Sequence, residues 1–288
     1  VRRARGLAAI ALWFVLGLAS KESAVVLLPA LFFYEFTAEP AAPGRERAAH
    51  LGPAFGALAA GGALFFAAYF ALGQYSGGGD ASLPGGSAAA AAPIMSGAFA
   101  RYVYLFLAPF RLCADYSQVY EAGWADPAAV AGVLLLGLLL FGALFFRRVL
   151  PGAAFGALFF LAALAPVSNL VPFGAVFAER YAYMPNAGLC LVVAALFLER
   201  PRAETYPQGA FLRPRRAHAV FLAALCLMFA LLSVQRIGVW RNSITLWRDT
   251  VACCPSCARP HVNYGRALLE QGQAARARPV LEQAKKLD

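Results

Sequence analysis

The chain has 288 residues, 61% of them hydrophobic and only 14% charged, and 25 Lys and Arg against 15 Asp and Glu give a formal charge of +10. Soluble domains carry about 45–50% apolar and about 25% charged residues, so a mean hydropathy of +0.62 argues against a soluble globular enzyme and against a disordered chain. The basic residues flank apolar runs, which is the pattern of membrane topology rather than of nucleic-acid binding. The chain starts at Val1 rather than methionine, and no small-residue cleavage site follows its first apolar run. It therefore reads as part of a longer polytopic membrane protein.

The first apolar region, residues 7–36, is broken by Ser20-Lys21-Glu22-Ser23. It is long for one helix and short for two full spans of about 20 residues. Two short spans meeting at the charged break are expected; one tilted helix with a buried ion pair is the rival. Further spans are predicted at 53–72, 128–146, 152–167, 187–198 and 219–234, seven in all. The span at 187–198 is short, which leaves room for it to begin inside the preceding loop. Within 73–126, Gly77-Gly78-Gly79 and the run 85–92 read as a flexible loop. Residues 98–110, with Arg101 among aromatics, read as a helix lying on the outer membrane surface. An ordinary span there is the alternative, and it would reverse the side of every later loop.

Seven spans put Arg2, Arg3, Arg5, Arg45, Arg47, Arg147, Arg148 and the five arginines between 200 and 216 on one side. The positive-inside rule makes that side cytoplasmic. Lys21, the 73–126 and 168–186 loops and everything after residue 235 then face outward. The domain plan is a membrane domain over 1–237, a linker helix over 238–257 and a helical repeat over 258–288.

In that last part, His261-Val-Asn-Tyr264-Gly265-Arg-Ala-Leu268 matches the first helix of a tetratricopeptide repeat (TPR), with His in the usual Trp position. Gly272 falls at the turn between the helices, and Ala277, Leu281 and Ala284 match the second. Pro279 departs from the pattern. One repeat cannot bury its own apolar face, so further repeats are expected.

Three clusters could carry chemistry. Lys21 and Glu22 sit at the outer end of two apolar runs, where charge is costly and often functional. Lys21 there suits a lipid phosphate, or snorkels beside Glu22. Asp115-Tyr116-Ser117, with Arg111 and Tyr120, forms a second polar cluster: a base, a metal ligand or a structural partner for arginine. The most specific stretch runs from Ser168-Asn169 through Glu179-Arg180-Tyr181-Ala182-Tyr183 to Asn186. A planar guanidinium matches phosphate oxygens, and Tyr181 and Tyr183 add hydroxyls beside a greasy surface. The alternative is a Glu179–Arg180 pair that locks the loop. Trp240-Arg241 and Trp247-Arg248 read as interfacial anchors.

Cys190 and Cys226, inside spans, are expected to be packing residues. Cys253-Cys254-Pro255-Ser256-Cys257 has Cys-x-x-Cys spacing, but His261 is the only histidine near it, so a zinc site is unsupported. A disulfide or an inert structural role is expected there instead. No phosphate-loop, zinc-protease, serine-elbow or dinucleotide motif occurs, and no metal site is expected.

The order of the Ser20–Ser23 element, Asp115-Tyr116-Ser117, the Ser168-Asn169 to Asn186 stretch and the Trp240–Trp247 linker, leading into a tetratricopeptide repeat, resembles bacterial relatives of the transmembrane and TPR-containing O-mannosyltransferases. Those belong to the GT-C superfamily of membrane glycosyltransferases. The resemblance implies a polyprenyl-phosphate-linked sugar as donor, with no divalent metal indicated, and transfer to a protein hydroxyl outside the bacterial inner membrane. It implies that the catalytic acid lies in an earlier outer loop, upstream of this chain, so none is assigned. Lys21, Arg180 and Arg111 are then candidates for holding the donor phosphate, supported by Glu22, Asp115, Tyr116, Glu179, Tyr181 and Tyr183. The expected partners are the lipid-linked donor, the bilayer and an acceptor protein met by the repeat, with no nucleic acid. The fold class is all-α: a polytopic, GT-C-like bundle of about seven spans followed by a soluble TPR hairpin. A non-catalytic, membrane-anchored TPR scaffold for envelope protein assembly is the alternative. A transporter fits less well, because the charges sit at the rim and not at mid-membrane.

Overall fold

In the computed structural model the described residues are 2–38, 44–72, 82–116, 123–169, 176–199 and 216–287, with side chains over 6–37 in the first segment and 51–72 in the second. Among them all regular structure is helical. The helices are α1 (Arg2–Ser20), α2 (Leu27–Ala38), α3 (Gly44–Ala71), α4 (Ala88–Leu107), α5 (Pro127–Phe146), α6 (Pro151–Leu164), α7 (Tyr183–Leu198), α8 (Arg216–Val239), α9 (Ser243–Cys253), α10 (Ala258–Glu270) and α11 (Ala274–Leu287). Five segments are long and apolar enough to cross a membrane: Leu51–Ala71, Ala88–Leu107, Pro127–Phe146, Glu179–Leu198 and Arg216–Val239. Gly6–Ser20 and Pro151–Val167 are shorter apolar helices. The glycine run at 77–79, Ser117, Tyr120, residues 170–175 and the basic segment 200–215 lie outside the described residues, as do the side chains of Arg2, Arg3, Arg5, Arg45 and Arg47.

The chain divides into two compact units. The first comprises Val1–Ser82, Gly137–Gly174 and Met184–Arg213. Its first apolar region breaks where the charges fall. Lys21 is extended at φ −158° and ψ 127°, and a 3-10 turn over Glu22–Val26 leads into α2. Lys21 and Glu22 are both exposed, so a single helix with a buried ion pair does not form. Phe14 and Leu18 of α1 bury against Leu58 of α3. A Cβ on Gly61 would stand 3.3 Å from Val15 Cγ2, and one on Gly62 the same distance from Phe14 Cε1, so the glycines set how close these helices come. The α6–α7 crossing is closer still. A Cβ on Gly156 would lie 2.6 Å from the Gly188 carbonyl oxygen, and a Cβ on Gly188 would strike the Gly156 carbonyl. Small residues that let backbones touch are the usual basis of helix association in lipid, where apolar side chains gain little by leaving the solvent. Beside this crossing Ala143, Ala154, Ala157 and Leu158 form a buried cluster edged by Phe33 and Phe36. Both Glu199 carboxylate oxygens accept the Gly152 N–H at 3.1 Å. That places an anion at the α6 N-terminus, where unpaired N–H groups and the helix dipole favour it.

The second unit comprises Leu83–Leu136, Ala175–Tyr183 and Pro214–Asp288. Here two expectations are corrected. The run at 85–92 is not a flexible loop: Gly85 and Gly86 take positive φ in a tight turn, and α4 starts directly after it at Ala88. Ser87 caps the helix by accepting the Ala90 N–H at 3.2 Å. Five consecutive alanines are the strongest helix formers available, and a capped start removes the remaining penalty. Residues 98–107 accordingly are not a separate short helix but the second half of a 20-residue one, long and apolar enough to cross a membrane, and 108–110 follow it without helical structure. Length and composition do not set the side on which the later loops lie, and the outward placement of those loops is a proposal. Ser96 of α4 donates to the Ala129 carbonyl of α5 at 2.6 Å, and Gly132 leaves room for the Ser96 carbonyl where a Cβ would collide.

The linker at 238–257 contains α9, started by a capping box in which Thr245 N–H donates to Asn242 Oδ1 at 2.9 Å and Asn242 N–H donates to Thr245 Oγ1 at 3.3 Å. Arg236, near the end of α8, donates to Asp249 of α9 at 2.6 Å and fixes the elbow between them. Helices α10 and α11 form a hairpin closed by Gly272 at φ +71°, a left-handed position that glycine takes without a Cβ penalty. Ala267, Leu268, Ala277 and Ala284 are among its buried residues, and Gly265 accommodates Leu281. His261 is buried, with Nδ1 2.8 Å from the Cys257 carbonyl oxygen.

Candidate functional site

The sequence clusters around Asp115 and Arg180 meet in the second unit. Residues 108–116 leave α4 without helical structure, so side chains and cross-chain bonds must hold them. Across from them, Glu179 opens a 3-10 turn, Glu179–Ala182, that runs directly into α7. The Glu179 carboxylate accepts from the Cys113 N–H at 2.6 Å and from the Tyr116 hydroxyl at 2.5 Å. The Cys113 N–H also points at the Tyr116 hydroxyl oxygen, 2.9 Å away. Both bonds to the carboxylate are charge-assisted and therefore short and strong. Burial, reinforced by the facing Glu179 carboxylate, pushes the Tyr116 phenol well above its ordinary value near 10, with the Arg236 charge pulling weakly the other way. Tyr116 thus remains a hydrogen-bond donor throughout the neutral range.

Phe177 forms the floor. Its ring stacks on Tyr102 of α4 at a centroid distance of 4.2 Å and meets Tyr116 edge-on at 4.7 Å. The Tyr102 hydroxyl donates to the Ala178 carbonyl and accepts the Ala178 N–H, both at 3.3 Å. The turn that presents Arg180 is therefore pinned on both sides of Ala178, by α4 and by the 113–116 loop.

Arg180 itself is exposed. Its guanidinium lies 4.9 Å from the centroid of the Tyr181 ring and donates to the Tyr181 hydroxyl at 3.2 Å. The alternative of a locking pair with Glu179 is not what forms, since that carboxylate is occupied by Tyr116 and Cys113. An exposed guanidinium braced on an aromatic ring can bind a phosphate in bidentate fashion at low ordering cost. Tyr183, at the first position of α7, is 89% exposed.

Asp115 is buried and faces Arg259 of α10 at 3.5 Å, rather than Arg111. Arg111 is exposed at the start of the loop. The cysteines add what spacing alone did not disclose. Cys113 is bonded to Cys253 at the end of α9, and Cys254 to Cys257. Cys190 and Cys226 are exposed on α7 and α8. Among the described residues no group of three or more metal-ligating side chains occurs. Lys21 and Glu22 belong to the first unit, at the α1–α2 break. In that unit Asn169 is buried in the left-handed region at φ +54°, a conformation asparagine tolerates, and Ser168 donates to the Ala165 carbonyl at 2.7 Å.

Sequence reasoning missed three participants: Tyr102, Phe177 and the Cys113–Cys253 bond. The even number of cysteines outside the spans was the available signal for the last. Tyr102 carried none, because a stripe of aromatics in an apolar helix reads as lipid-facing, and neither did Phe177, a lone aromatic ahead of the Glu179 turn.

Helical spans bearing a polar, tyrosine-framed arginine turn define an all-α, multi-pass membrane protein. Known proteins narrow the class. The chain is 32% identical over 189 residues to a Mus musculus protein named protein O-mannosyl-transferase TMTC4, a match covering 60% of this chain and 24% of that protein. It is 27% identical over 192 residues to the Caenorhabditis elegans protein O-mannosyl-transferase F38B6.6, covering 65% and 26% respectively. With the Homo sapiens protein O-mannosyl-transferase TMTC1 it shares 29% identity over 186 residues, 59% of this chain and 20% of that one. The chain thus spans about a quarter or less of the length of these curated relatives. No family model and no solved structure matches it.

Proposed function

We propose that this chain is the donor-holding part of a membrane glycosyltransferase that moves mannose or a similar hexose from a polyprenyl phosphate to protein hydroxyls on the extracytoplasmic side. The observation that carries this reading is Arg180: an exposed guanidinium braced on Tyr181, on a turn pinned by Glu179 and Tyr102, at the mouth of an apolar helix. The names of the relatives support the same class. In the reaction the acceptor hydroxyl oxygen bonds to the anomeric carbon, and the bond from that carbon to the phosphate oxygen breaks. The leaving phosphate gains charge as it departs, and a fixed cation at that point lowers the barrier. Arg180 is the principal ligand of that phosphate, with Arg111 as a further cation of the same unit, supported by Asp115, Glu179, Tyr116, Tyr181 and Tyr183. Lys21 with Glu22, at the α1–α2 break of the first unit, is a separate candidate phosphate contact. The base that takes the hydroxyl proton lies elsewhere. The α10–α11 hairpin is read as a tetratricopeptide repeat that meets the acceptor protein. The GT-C superfamily and a bacterial inner-membrane location complete the proposal.

The test is transfer of radiolabel from a polyprenyl-phosphate hexose to extracytoplasmic protein, by the native full-length gene product in membranes. Label on protein that is lost with Arg180→Ala, while membrane insertion is unchanged, is the expected result. No label with any hexose, from correctly inserted protein, refutes the transferase reading and favours the scaffold. Wild-type transfer by Arg180→Ala removes Arg180 from the site.

A further inference from the structure

We infer that Cys113 is a positioning residue for the Arg180 turn, and that it does this work only while bonded to Cys253. The inference rests on the reading of Arg180 as a lipid-phosphate ligand.

Four observations converge on one short irregular segment. The Cys113 N–H donates to Glu179 at 2.6 Å. The Tyr116 hydroxyl donates to the same carboxylate oxygen at 2.5 Å. Asp115, between them, faces Arg259 of α10. The Cys113 sulfur is bonded to Cys253, the last residue of α9. The 113–116 segment has no helix or sheet ladder of its own. Its geometry, and with it the placing of the two donors that hold Glu179, is set from outside. Glu179 is adjacent in sequence to Arg180, so whatever fixes that carboxylate fixes the turn carrying the guanidinium. Of the outside ties, the Asp115–Arg259 pair is long at 3.5 Å and its arginine side chain is 74% exposed. The covalent bond is the strong one.

That bond is open to chemistry from one side. Cys113 is 1% exposed, whereas Cys253 is exposed. A dithiol reductant can therefore reach the Cys253 sulfur. Its thiolate attacks there, the sulfur–sulfur bond breaks, and Cys113 leaves as a thiolate that takes up a proton. The second thiol of the reagent then releases Cys253 as a thiol, and the reagent leaves as its own disulfide. Two electrons and two protons are transferred. The 113–116 segment then loses its covalent tie to α9, and the Glu179–Arg180 turn loosens with it. Cys254–Cys257 closes a loop within four residues and touches neither Glu179 nor Tyr116 in any bond described, so opening it leaves the turn unaffected.

The test measures binding of a polyprenyl phosphate to the chain in nanodiscs. The wild type is compared with Cys113→Ala, Cys253→Ala and the double variant Cys254→Ser/Cys257→Ser. Expected are a roughly tenfold or greater rise in Kd for each of the two single variants and no change for the double variant. Dithiol treatment should weaken binding by the wild type to the same degree, with recovery on reoxidation and no further effect on Cys113→Ala. Melting temperature is followed in parallel. A general loss of stability would weaken the double variant too, and would not return with the bond. Should the single variants fail to fold, the dithiol titration of folded wild type decides alone. Tight binding by Cys253→Ala, or by fully reduced wild type, overturns this inference and leaves the phosphate reading standing. No binding of polyprenyl phosphate by oxidised wild type overturns both.

Discussion

Replacing Glu179 by Gln keeps the shape of the turn and removes the charge that organises it. The carboxylate accepts two short bonds, from Cys113 N–H at 2.6 Å and from Tyr116 Oη at 2.5 Å. Hydrogen bonds to a charged group contribute about 1.5–3 kcal/mol each. The two losses do not add, because the amide oxygen of Gln still accepts one donor and the Cys113 N–H keeps the Tyr116 oxygen at 2.9 Å as an alternative. The expected net cost is about 2–3 kcal/mol, local to the loop. At about 1.4 kcal/mol per factor of ten, opening of the 113–116 segment should become about 30- to 150-fold more frequent. Hydrogen–deuterium exchange read by mass spectrometry over residues 111–116 measures this directly, with α10 and α11 as internal references. Binding of polyprenyl phosphate should weaken in step. Unchanged exchange over 111–116 in a folded Glu179→Gln protein would refute the claim that this carboxylate holds the loop.

Two further outcomes follow from geometry. Gly188→Val should prevent stable α6–α7 packing, because even the first carbon of the new side chain meets the Gly156 carbonyl and lies 2.7 Å from Phe160 N. Overpacking costs about 1–3 kcal/mol when side chains can shift, and here the obstacle is backbone; a fall in detergent melting temperature and in yield of folded protein checks it, and Gly52→Val, at a position with nothing within 4 Å, is the control. Tyr116 should stay un-ionised while ordinary tyrosines titrate, so the late part of the tyrosinate absorbance change at high pH should shrink by one phenol in Tyr116→Phe. The sign is fixed by the raised folded-state value. The unfolded chain releases this proton first as pH rises through about 10. Stability from the Tyr116 bond is therefore complete below that pH and declines above it.

Most helices were readable because each rests on a local property. Leucine- and phenylalanine-rich runs such as α5 can be nothing else in lipid, and Lys21 with Glu22 marks a break because charge ends an apolar run. The start of α7 before residue 187 followed from a length argument. The failure at α4 also has a local cause. Alanine after glycine was taken as low-complexity linker, when Gly85 and Gly86 form only the turn and Ser87 caps a strong helix former. Arg101 among aromatics reads as the mark of a surface helix, yet it is half-buried at mid-helix with mainly apolar residues on each side. At the candidate site, residue types were legible and partners were not. The alternative reading pairs Glu179 with its neighbour Arg180, but its donors come from 63 and 66 positions away. Asp115 was set beside Arg111 and instead faces Arg259. Charges adjacent in sequence need not point at one another on a tight turn, and a single sequence holds no record of which distant donor fills the space.

The bond between Cys113 and Cys253 spans 140 residues of sequence, and that span includes α5, α6, α7 and α8. The Cys113–Cys253 bond can therefore close only after α5 to α8 have been made, and Cys253 arrives beside a second cysteine, Cys254. If Cys254 and Cys257 join as soon as both are made, Cys253 is the thiol of its own cluster left for Cys113. The quick local pairing would act as a proofreader for the slow distant one.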